Sequence, residues 1–190
     1  SQALNLSNVS GVNTVGISGS AAGEVNGFAA DTVQPTIALS GYTRALTVAP
    51  ADLRGTAALS TAEAINLSVS GATYGTTAAT QTSVTIDPAS TNNGVLETLN
   101  IASVGSTSNE FLLAMASSNY LDKVNVSGTA PLTIRGAAAD LSGVSVASTS
   151  TGATTVAVDV NGTSTGTSVN GANIAAGVNL AVFDSTAGSD

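Results

Sequence analysis

The sequence has no cysteine, no histidine and no tryptophan. Without cysteine there is no disulfide framework, no thiol nucleophile and no thiolate metal site. Without histidine as well, a zinc centre lacks both of its usual ligands. A serine nucleophile lacks the base that would take its proton. Ser164 sits at the centre of "GTSTG" (162–166) and so matches the Gly-x-Ser-x-Gly elbow in letters only. Lysine occurs once, as Lys123, which rules out a Gly-x-x-x-x-Gly-Lys phosphate loop. No apolar run reaches the roughly eighteen residues that read as a membrane-spanning helix.

Charge is equally scarce, at 8% of residues against about 25% in ordinary globular proteins. The balance is acidic, with a net charge of −8 and only Arg44, Arg54, Lys123 and Arg135 as bases. Phosphate backbones are bound by clustered Lys and Arg, so nucleic acid is not an expected partner. An acid excess suits divalent cations or plain solubility. Glycoside chemistry needs paired carboxylates, convergent bases and sugar-stacking rings. Here the bases are scattered and the rings few (Phe28, Tyr42, Tyr74, Phe111, Tyr120 and Phe183), so no enzyme is expected.

What the chain does have is Val, Ile, Leu and Ala in alternation with Ser, Thr and Asn. Its 190 residues can bury a real core. Low charge with many apolar residues argues against a disordered chain. Period-2 runs recur at "ALNLS" (3–7), "TVGISG" (14–19), "TIALSG" (36–41), "RALTVA" (44–49), "AINLSVSG" (64–71) and "SVTID" (83–87). They continue at "ETLNIAS" (97–103), "DKVNVSG" (122–128), "PLTIRG" (131–136), "GVSVAS" (143–148), "TTVAVDVNG" (154–162) and "GVNLAVFD" (177–184). Each is strand-length, and most end at Gly, Asn, Asp or Pro. Val156, Val158 and Val160 fall on one face of their run, Ala157 and Asp159 on the other. Gly-, Ser- and Thr-rich loops are expected at 70–82, 147–154 and 161–172.

Two segments break the pattern. "SNEFLLAMASSNYLDKV" (108–124) offers Ser108 or Asn109 as an N-cap, Glu110 in a first turn, and Phe111, Leu112 and Met115 at helical spacing. A short helix or turn over the sheet is expected there, with "STAEA" (60–64) as a second candidate. A third signal is an Asn between apolar neighbours at Asn5, Asn66, Asn100, Asn125 and Asn179. Stacked rung on rung, such amides form ladders; left unstacked, they are exposed residues on the outer face of a strand.

Calcium is the one metal whose ligands the chain supplies: carboxylates, amides and backbone oxygens at strand ends. Asp87, Asp122, Asp140, Asp159 and Asp184 are the candidates, with Glu97 in the same kind of position. Neither the Gly-Gly-x-Gly-x-Asp nonapeptide nor an EF-hand spacing occurs. "DVNGT" (159–163) is an acceptor form for bacterial N-glycosylation at Asn161, while "NVS" (8–10 and 125–127) and "NLS" (66–68) fit only the shorter sequon.

The run "ETLNIASVGSTSN…YLDKVNVSGTAPLTIRGA…LSGVSVASTSTGATTVAVD" from Glu97 to Asp159 resembles the repeat region of S-layer and RTX-like surface proteins that Gram-negative bacteria export by type I secretion. The likeness covers about a third of the chain well and the flanks in composition. It implies a calcium-dependent β-solenoid-like body, export without a cleaved N-terminal signal, and a lattice on the cell surface. Polysaccharide anchoring would belong to another domain. Together these readings give an all-β expectation: a parallel β-helix (β-solenoid-like) with irregular rungs and one short helix, the alternative being a β-sandwich. Residues 1–190 form one β-rich module with a possible sub-boundary near 72–82, cut from a larger extracellular surface protein. The expected function is a self-associating surface-layer component. Its rivals are an adhesin or biofilm-matrix module that binds glycan or host protein, a polysaccharide-degrading β-helix, and ice binding through Thr149/Thr151 and Thr163/Thr165/Thr167.

Overall fold

A computed structural model describes residues 2–28, 35–50, 64–75, 77, 80–87, 95–116, 120–141, 143–160 and 174–183. The strands are β1 (Gln2–Asn5), β2 (Thr14–Ser18), β3 (Gly23–Asn26), β4 (Thr36–Ser40), β5 (Ala45–Ala49), β6 (Ala64–Ser70) and β7 (Ser83–Ile86). They continue with β8 (Val95–Ser103), β9 (Asn109–Met115), β10 (Tyr120–Gly128), β11 (Leu132–Ala137), β12 (Ser145–Ser148), β13 (Thr154–Asp159) and β14 (Val178–Phe183). A single turn of helix, α1 (Ala138–Leu141), lies between β11 and β12.

From β1 to β13 successive strands alternate between two sheets, and β14 rejoins the first. One runs β1-β3-β5-β7-β9-β11-β13-β14 and the other β12-β10-β8-β6-β4-β2. Every pairing within them is parallel. A chain that visits two parallel sheets in turn and advances one strand per visit is a two-sided parallel β-helix. The second sheet carries on past β12 through a parallel bridge from Val146 to Ile174, where the Ala175 amide donates to the Val146 carbonyl (2.9 Å).

The rungs are irregular, as the uneven spacing of the runs implied. In the first sheet Val25 pairs with Val48 and Val48 with Ile86. The second of those steps is much longer, because it contains the segments after β5 and after β6. Register on the sheets is kept across both steps. That is what the side chains require, since a slip of one residue would turn each inward face outward.

The inward residues make one continuous core. Val25, Ile37, Val48, Val69, Val84, Ile86, Leu96, Leu99, Ile101, Phe111 and Leu113 are all fully buried within it. Each such side chain contributes roughly 1.5–3 kcal/mol over its exposed state. Val156 and Val158 face this core and Asp159 is turned outward as expected, but outward-facing Ala157 is also buried.

Residues 109–115 correct the helical expectation. They form β9, with Phe111, Leu113 and Met115 buried and Glu110, Leu112 and Ala114 half-buried in alternation. Locally this segment favours helix, but unpaired sheet edges on both sides and three inward apolar residues outweigh that propensity. The single helical turn lies instead at "AADL", where Ala138 and Leu141 are buried. Of the other helix candidate, residues 60–63 lie outside the described residues and Ala64 opens β6.

The corners leading from the second sheet back to the first are pinned by buried polar side chains. Asn109 is fully buried. Its Oδ1 accepts from the Ala72 amide (3.1 Å). Its Nδ2 faces the Val69 carbonyl (3.0 Å), Ser103 Oγ (2.9 Å) and the Val104 carbonyl (3.0 Å). Tyr42 fills the corner before β5, its hydroxyl set between the carbonyls of Ala45 (2.7 Å) and Ala21 (3.0 Å). Burial pushes the Tyr42 phenol above its ordinary pKa. Gly128 turns the corner after β10 with φ 107. A Cβ there would lie 2.0 Å from the Ser103 carbonyl oxygen.

Candidate functional site

The outer face of the second sheet is built from small polar residues. Thr14 pairs with Thr36, Thr36 with Asn66, Asn66 with Asn100 and Asn100 with Asn125. Asn100 Nδ2 donates to Asn66 Oδ1 (2.9 Å), and Asn125 Nδ2 donates to Asn100 Oδ1 (3.0 Å). Three of the five Asn residues picked out by their apolar neighbours therefore form an amide ladder. Asn5 and Asn179 lie on the first sheet, paired with Asn26 and Thr155. Asn26 Oδ1 is buried and has no hydrogen-bond partner among the described residues.

The acidic candidates stand on separate elements. Asp87 is exposed just after β7, and its amide donates to the Val48 carbonyl (2.9 Å). Asp122 is exposed in β10, and Asp159 is half-buried at the end of β13. Asp140 lies in α1, where burial raises its carboxyl above the usual range against a backbone hydrogen bond at Met115. Asp184, Asn161, Ser164 and Thr163/Thr165/Thr167 lie outside the described residues.

Among the described residues no three His, Cys, Asp or Glu side chains come together to hold a metal ion. Asp122 has a second carboxylate beside it, since the pairs Leu121–Leu96 and Lys123–Thr98 bracket Asp122 and Glu97 on neighbouring strands. Calcium takes six to eight oxygens. The fit is therefore partial: one adjacent carboxylate pair and no cage.

The outer face of the first sheet holds what the sequence did not reveal. Arg135, in β11, lies beside Ala157 and Leu112 in register. Its Nε bonds to Glu110 Oε1 on β9. Its guanidinium carbon is 4.6 Å from the centre of the Tyr74 ring and 5.0 Å from that of Phe183. Phe183 ends β14, two strands away from β11. The small side chain of Ala157 on the intervening β13 lets the arginine extend across it. Tyr74 comes from the corner after β6, where it bridges antiparallel to Gln81. There the Gly75 amide donates to the Thr80 carbonyl (3.1 Å).

Two clefts lie near the start of the coil. One, of 180 Å3, is lined by Leu6, Val9, Val12, Phe28 and Pro35, among others. It is below the roughly 300 Å3 at which small-molecule sites begin. The other, of 370 Å3, opens at β1 and β2 beside Leu4, Ile17 and Tyr42, with Glu24 as its one charged residue. Among the described residues neither gathers an acid and a base.

Both ends of the coil leave apolar residues in solvent. Leu4 is 44% exposed on β1, and Leu180 and Val182 are 37% and 54% exposed on β14. The strands β1, β2 and β14 at the ends of the sheets, and β12 beside the Ile174 bridge, carry no charged residue. Among the described residues no helix is long and apolar enough to cross a membrane. Compared with known proteins, the chain matches no protein-family model, no curated protein and no solved structure.

Proposed function

We propose that this chain is a structural module of an extracellular bacterial surface layer, which joins neighbouring copies into a lattice and catalyses nothing. The observation that carries this reading is the state of the coil's ends. Edge strands in proteins that stay single are blunted by charge, proline or a covering element. Here the terminal strands are uncharged and Leu4, Leu180 and Val182 face solvent, which suits association in line with the sheets. The low charge, the small outward residues and the likeness of Glu97–Asp159 to S-layer and RTX-like repeats support the same reading.

Calcium dependence within this proposal rests on Glu97 and Asp122, which would supply part of a shell completed by other oxygens. Export by type I secretion rests on the resemblance alone. The test is purified chain, extended at its natural ends, followed by light scattering and electron microscopy in millimolar calcium and in chelator. Ordered sheets that dissolve in chelator are expected. A chain that stays monomeric in calcium and forms no sheets would overturn the reading, and a positive reducing-sugar assay would overturn its non-enzymatic part.

A further inference from the structure

We infer that Tyr74, Glu110, Arg135 and Phe183 form a binding site for a neutral glycan on the outer face of the first sheet. The inference is independent of lattice assembly. In a chain with 3% aromatic and 8% charged residues, two rings, a base and an acid converge here from four distant sequence positions. Around them the sheet offers Thr133, Thr155 and Asn179, in register with Glu110.

A clasp that merely fastens the corner after β6 and the end of β14 onto the sheet would account for the ring contacts. It does not account for what is left unused. Arg135 commits its Nε to Glu110, and among the described residues Nη1 and Nη2 make no hydrogen bond. Glu110 commits one carboxylate oxygen of its two. The side chains of Arg135 and Glu110 are 27% and 32% exposed, and Tyr74 is 36% exposed. The cluster thus presents several N–H donors, a carboxylate acceptor and a partly exposed aromatic ring.

That is the chemistry of a sugar. A hydroxyl both accepts and donates, so adjacent hydroxyls can take a guanidinium N–H and give a proton to a carboxylate. The C–H face of the ring packs on an aromatic surface whose other end stays wet. Charge selects a neutral ligand. Glu110 offsets Arg135. An anionic sugar would meet the Glu110 carboxylate, and a cationic one would meet the guanidinium.

The test is saturation-transfer NMR of the purified chain with neutral gluco-, galacto- and manno-oligosaccharides, with oligogalacturonate and chitosan oligomers as charged controls. At least one neutral series is expected to bind. Tyr74→Ala and Glu110→Gln should each weaken that binding about tenfold, equivalent to about 1.4 kcal/mol. Tyr74→Phe keeps the aromatic surface and should bind as the parent does. The circular dichroism spectrum and melting temperature of Tyr74→Phe and Glu110→Gln serve as the check on folding. Binding of the charged controls alone, binding by no neutral series, or undiminished binding by folded Glu110→Gln would each overturn the assignment.

Discussion

Single residues decide where this coil can turn. Asn109 satisfies an amide and two carbonyls from the strands and corners around it, from a position with no solvent access. Replacing it by Ala leaves the buried Ala72 amide without its acceptor, while the Val69 carbonyl keeps the Val104 amide as a donor. Stranded groups of that kind cost about 1–3 kcal/mol each. Asn109→Ala should lower the unfolding free energy by about 3 kcal/mol, measured by urea denaturation. Gly128→Ala should cost about 2 kcal/mol or more, because the new methyl group meets the Ser103 carbonyl at a positive φ.

Asp140 has the opposite character. Burial raises its folded carboxyl pKa above the unfolded value. The native state therefore holds the proton more tightly, and stability falls as pH rises from the unfolded value through the raised one. Asp140→Asn should be more stable than the parent at neutral pH and equal to it at acid pH below both values. Denaturation curves at the two pH values check the sign.

At the scale of elements, the alternating pattern was a good guide wherever a strand carried two inward apolar residues. The runs at 14–19, 36–41, 64–71 and 154–162 coincide with β2, β4, β6 and β13 to within a few residues at their ends. β3 escaped because "GEVN" holds one inward residue, Val25, and a single apolar position has no period. β9 escaped for another reason. Its outward Leu112 adds a third apolar residue to Phe111 and Met115, and the three together imitate a helical stripe. The α1 turn had a signal in "AAAD", since Ala is the best helix former, but one turn is too short to show a period.

Asn100 is the middle rung of the amide ladder and bonds on both sides. The ladder bonds are partly buried, and a typical net value for one is about 1 kcal/mol. Asn100→Ala removes two bonds and should cost about 1–2 kcal/mol. Asn179→Ala, on exposed β14, should change stability by less than about 0.5 kcal/mol. Equal losses at the two positions would show that the ladder adds nothing beyond strand packing.

The molecule as a whole explains why the Tyr74–Glu110–Arg135–Phe183 cluster was invisible in sequence. A strict repeat would have placed its members at multiples of one period. The corners of this coil differ in length, so the columns of the sheet can be assigned only once register is known. Arg135 and Phe183 are neighbours because β11, β13 and β14 stack in register, which sets Phe183 two residues beyond the Arg135–Ala157–Ala181 row, and no linear spacing records that. The same geometry governs the ends. Because every strand is parallel, the edge of β14 and the edge of β1 are different surfaces, and contact between them is head-to-tail. Such contacts generate extended assemblies unless the rotation between copies closes them into a ring.

Val182 is the more exposed of the two apolar residues on β14, so Val182→Lys should leave the fold nearly unchanged, within about 0.5 kcal/mol. An inward charge on an edge strand would oppose stacking. Ser127→Lys places the same charge on the exposed outer face of β10, a strand that is paired on both sides. If the ends carry assembly, Val182→Lys abolishes sheets in the electron microscope while Ser127→Lys still forms them. The reverse result would move the contact to the Asn- and Thr-rich face, and with it the whole account of how copies join.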